Sequence, residues 1–137
     1  MDQTRDEETQ SSVNAELAKL EDARQRRARE APVARADLEM TIARAHDDLT
    51  GHVRRVLQDA DEQLAALAAA AVRSAGVERE RIETAIAALR SERDMLEKNA
   101  RALRDASAET WHKVRDDFEM SLRGLRFLRE KSASIVT

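Results

Sequence analysis

The chain has 137 residues, 37% of them charged and only 2% aromatic, with one Pro, three Gly and no Cys. Without Cys, disulfides, thiolate metal sites and Cys nucleophiles are excluded, and abundant Ala, Leu, Glu and Arg with few breakers favour long helices over sheets. The formal net charge of −3 is that of the first ten residues alone, and the other 127 residues balance with 23 basic and 23 acidic side chains, a density expected of solvated helix faces laced with ion pairs.

Residues 1–12 are acidic and lack an apolar period, so a disordered tail is expected there, followed by one helical domain over 13–137. Asp2, Asp6, Glu7 and Glu8 make a poor secretory signal, which starts basic and then apolar. Val13 to Arg29 reads as a separate helical piece. Pro32 removes an N–H and disfavours helix at Ala31, so a kink or short break is expected near Glu30 to Pro32.

The clearest periodicity runs Leu38, Ile42, Ala45, Leu49, Val53, Val56, Ala60, Leu64, Leu67, Ala71. Its steps of 4, 3 and 4 form an eleven-residue repeat of a straight or slightly right-handed seam. The phase passes through Gly51 unbroken, so Gly51 is read as lying inside the helix. The longest apolar run, Leu64 to Val72, is far short of the roughly 20 residues of a membrane span, and a cytoplasmic location is expected.

The repeat ends at Arg73-Ser74-Ala75-Gly76-Val77. Gly76 suits the left-handed position that closes helices. A reversal at Ser74 to Val77 would make the whole chain an all-α, long antiparallel hairpin. Its second arm starts as a heptad seam, Ile82, Ile86, Leu89, Arg93, Leu96, Ala100, Leu103, Ser107. It continues through a stutter into Trp111, Val114, Phe118, Leu122 and Leu125. Apolar stripes wider than a two-helix seam predict self-association, most simply a dimer forming a four-helix bundle.

No constellation for catalysis emerges. His46, His52 and His112 are scattered, and the single Glu-x-x-His of Glu109 to His112 lacks the second motif and the inward carboxylates of a two-metal bundle site. Asp47-Asp48 and Asp116-Asp117 lie on polar faces rather than in a concave pocket. No metal, cofactor or catalytic residue is therefore assigned, and a non-enzymatic chain is expected.

Two features remain as candidate sites. Arg24, Arg26, Arg27 and Arg29 form the densest basic run, and Arg123, Arg126, Arg129 and Lys131 a second one. In the single hairpin these would share its open end, where they could meet nucleic acid or anionic lipid. The stripe of Trp111, Val114, Phe118, Leu122 and Leu125 is the most apolar face, suited to helix packing or, in a minority reading, to surface binding.

Leu89-Arg90-Ser91-Glu92-Arg93, then Ala106-Ser107-Ala108-Glu109-Thr110-Trp111, then Phe118 and Leu122, resemble a group of uncharacterised small bacterial coiled-coil proteins. In that group a charged heptad helix precedes an Ala-Ser-x-x-x-Trp segment and an amphipathic C-terminal helix. The match covers about a third of the chain, over residues 83–128. This sequence departs from the group by being Arg-rich where the group is Lys-rich. The resemblance implies a helical fold and supplies no activity.

Three roles are thus expected in order. The first is a structural protein that self-associates and scaffolds an unknown protein partner. The second is an amphipathic coat on a membrane or hydrophobic granule, similar to phasins in composition only. The third is a nucleic-acid-associated protein using the basic end.

Overall fold

The computed structural model describes residues 2–29 and 32–136. They form four helices: α1 (Asp2–Arg27), α2 (Pro32–Val72), α3 (Gly76–Asp105) and α4 (Trp111–Val136), with no strand among the described residues. The chain divides into two compact units within α2, at Arg55 and Val56.

The first unit holds α1 and the first part of α2. Val13, Leu17, Leu20 and Ala23 are buried along α1, and Leu38, Ile42, Ala45, Leu49 and Val53 along α2. Arg27 Nη1 lies 2.9 Å from Glu39 Oε1. Twelve residues of continuous helix would separate these groups by about 18 Å, so the chain folds back after α1. Ala28 and Arg29 begin that turn, and Pro32 opens α2, where its missing N–H costs nothing and its fixed φ suits the first helical position. Glu30 and Ala31, on which the expected break also fell, lie outside the described residues.

α1 begins at Asp2, within the stretch where a tail was expected. The buried row from Val13 nucleates helix that propagates outward, and an acidic N-terminal sequence suits the positive end of the helix dipole.

The second unit holds the rest of α2 with α3 and α4. Here the expected two-armed hairpin is corrected. The second arm is two helices, because the chain reverses at Ala106 to Thr110 where a continuous stutter was expected. Asn99 Nδ2 donates to the Asp117 carbonyl at 3.2 Å and also to Ser121 Oγ, while Glu92 lies against Gly124. Going backward along α3 thus means going forward along α4, so the two are antiparallel. Ile82, Leu89, Leu96 and Leu103, seven residues apart, are buried against this pairing with Trp111, Phe118, Leu122 and Leu125.

The reversal is built by side chains. Ser107 N–H donates to Thr110 Oγ1 at 3.1 Å, and Thr110 N–H donates to Ser107 Oγ at 3.3 Å. Thr110 then accepts from Val114 N–H at 3.0 Å, starting α4. This reciprocal arrangement satisfies backbone donors that the first turn of a helix leaves open.

The break between α2 and α3 falls at Arg73 to Ala75, overlapping the expected turn of Ser74 to Val77 at Ser74 and Ala75. Gly76 has φ of 63° and stands as the first residue of α3 rather than as the closing residue of α2. α2 joins the other two helices through Asp61 to Arg93 and through Gln63 to Arg129.

Candidate interaction surfaces

The seam position Arg93 is the best-connected charge of the second unit. Its Nε and Nη2 donate to the two Asp61 carboxylate oxygens at 2.8 and 3.3 Å, and its Nη1 reaches Asp94 at 3.2 Å and Glu97 at 2.6 Å. The Asp61 bond foremost, then those to Asp94 and Glu97, hold its pKa above the ordinary value despite partial burial. A charge among Leu89, Leu96 and Leu103 fixes register, because a slip would leave it without Asp61. Arg93 is therefore a packing device.

The first basic run is only partly available. Arg24 is half-buried on α1, and its pKa is lowered by that burial and by the neighbouring Arg27, against the opposing effect of Glu39. Arg27 pairs with Glu39 and Arg29 Nε donates to the Gln25 carbonyl at 3.3 Å, which leaves Arg26 as the exposed cation without such a bond among the described residues.

The second run lies on α4. Arg126 pairs with Glu130 at 3.4 Å and Arg129 with Gln63 Oε1 at 3.2 Å. Arg123 and Lys131 are exposed and make no ion pair among the described residues. The expected common basic end rests on a single hairpin, which would set Arg129 across from the first run near residue 23. The reversal at Ala106 to Thr110 instead returns α4 along α3, and Arg129 meets Gln63. The two runs belong to different compact units.

The apolar stripe is interior. Trp111, Phe118, Leu122 and Leu125 are buried and Val114 is half-buried, so this row packs the second unit and does not face a ligand or surface. The opposite side of α4 carries what the sequence reading missed: Met120 is 65% exposed and Phe127 63%. Phe127 follows Phe118 by nine residues, two and a half helical turns. That spacing turns the two rings to opposite faces, a signal present in the sequence.

Between α3 and α4 runs an open groove of about 310 Å³, with Met95 and Met120 on its walls and Glu92, Asn99, Asp117 and Ser121 along it. Its polar groups are mostly engaged. Ser121 Oγ donates to the Asp117 carbonyl at 3.0 Å, and Lys113 Nζ lies 3.1 Å from Asp117 Oδ2. Glu92 turns its carboxylate onto α4 at Gly124, where a side chain's Cβ would stand 2.9 Å from Oε2.

Among the described residues, no group of three or more His, Asp or Glu comes together as a metal site. His112 is exposed at the start of α4, with no second Glu-x-x-His to join it. No helix is long and apolar enough to cross a membrane among the described residues. No family model, curated protein or solved structure matches the chain.

Proposed function

We propose that this chain is a non-enzymatic helical interaction protein that self-associates and scaffolds a protein partner. The observation that carries this reading is the outward row of α4. Met120 and Phe127 remain mostly exposed there, beside the half-exposed Met95 of α3, although the other side of the same hairpin is fully packed. Large apolar side chains that share one face of a folded unit are characteristic of surfaces that meet other molecules. Methionine on such a face adapts its shape to the surface it meets.

Two copies of the chain carrying different tags, expressed together, test the reading. Capture of one tag should recover the other in comparable amount. Recovery of the captured copy alone would contradict self-association.

A second reading is an amphipathic coat on an anionic or hydrophobic surface. Arg123 and Lys131 lie one turn to either side of Phe127, and both are exposed. Basic residues around an exposed ring suit a lipid interface. Sedimentation of the protein with phosphatidylglycerol vesicles, but not with phosphatidylcholine vesicles, would favour this reading over the first.

A further inference from the structure

α4 carries two neighbouring rows with heptad spacing. One, on its outer side, is Lys113, Met120 and Phe127, and the other, along the edge toward α3 where Glu92 lies against Gly124, is Asp117, Gly124 and Lys131. Residues seven apart lie nearly one above the other on a helix, so each row runs along the axis. Met120, Phe127 and Lys131 are exposed, and Asp117 is partly so.

In an antiparallel helix pair related by a two-fold axis, residues equidistant from the axis meet across it. Asp117 and Lys131 are equidistant from Gly124. Met120 and Phe127 have almost the same midpoint. One axis therefore satisfies both rows: it sets each Phe127 ring beside the other copy's Met120, and each Lys131 beside the other copy's Asp117. Thioether sulfur and an aromatic ring attract, and opposite charges on the flank fix the register of an antiparallel pair.

We propose that the outer face of α4 is a self-complementary docking surface whose occupant is the same face of a second copy. This rests on the self-association reading above and gives it a surface and a register. The isologous arrangement closes on itself, so association stops at two copies. Among the described residues the Asp117 carboxylate pairs with Lys113, whose side chain is 82% exposed. Such one-turn surface pairs are weak and easily exchanged. On the far rim the two Arg123 side chains approach each other in solvent, where salt screens them.

Within one chain Asp117 and Lys131 stand about 21 Å apart along the helix, so they cannot compensate each other's substitution except across two copies. Sedimentation equilibrium of the full chain at micromolar concentration exploits this. Phe127→Asp should weaken the dimer by about tenfold or more, as loss of a central aromatic anchor does. Its helical circular dichroism and melting should stay close to the parent's, because Phe127 is 63% exposed.

Asp117→Lys and Lys131→Asp should each weaken the dimer by about two- to fivefold, the range of exposed ion pairs. The double variant should regain the parent affinity. A dimer indifferent to Phe127→Asp, or a double variant weaker than either single one, would overturn this surface while leaving self-association standing. A parent protein that is monomeric would overturn both. Vesicle binding lost in Phe127→Asp by a monomeric parent would assign the face to lipid instead.

Discussion

Two glycines show how differently the same residue can act. Gly51 is exposed inside α2, and a Cβ there would meet nothing within 4 Å. Gly51→Ala should therefore raise stability by about 1 kcal/mol, the difference in helix propensity. Gly76 also has open space, but its φ of 63° lies in the left-handed region, so Gly76→Ala should cost about 1 kcal/mol. Thermal or urea unfolding of the pair should show opposite signs. Trp111 is 4% exposed, and its truncation to Ala should cost about 3–5 kcal/mol. His112→Ala, one residue on and exposed, should change stability by less than about 0.5 kcal/mol. Equal effects at the two positions would contradict the packing assigned to α4. At this scale the sequence was legible wherever period decides burial. Phe127 stands outside the buried row of α4 because, nine residues from Phe118, it falls on the opposite face of the helix.

At the scale of the element, legibility followed the punctuation. Pro32 and Gly76 mark the first two breaks, and both breaks are present. The eleven-residue repeat of α2 is buried at every position from Leu38 to Ala71 except Leu64, which is half-buried. The third break carries neither Pro nor Gly. Its signal is Ser107 and Thr110, which satisfy each other's backbone, and Ser and Thr are common enough inside charged helices to pass unnoticed. Missing that break lengthened the expected second arm.

Nitroxide labels at the exposed Ser91 and Arg123 distinguish the two arrangements. A continuous helix would hold them about 48 Å apart. The antiparallel pair, with helix axes about 8–10 Å apart, should bring the labels within roughly 20 Å. A long distance would restore the single hairpin.

Across the whole molecule, the helical interior follows the chain's own periodicity, and the outer face of α4 stays exposed at Met120 and Phe127. Ion pairs contribute register more than stability. Most bind residues one helical turn apart, as in Arg79 to Glu83 and Arg115 to Glu119, and such pairs add only about 0.2–0.5 kcal/mol each. In the second unit the pair Arg93 to Asp61 bridges helices and instead fixes how α3 sits on α2. Among the exposed large apolar side chains, Met95, Met120 and Phe127 lie on the α3 and α4 pair, Val77 lies at the start of α3, and Met40 and Val72 lie on α2. Self-association is read from the mass of the full chain in solution. Sedimentation equilibrium at micromolar concentration should give twice the chain mass of 15.4 kDa. A single species at the chain mass over that range would contradict the account.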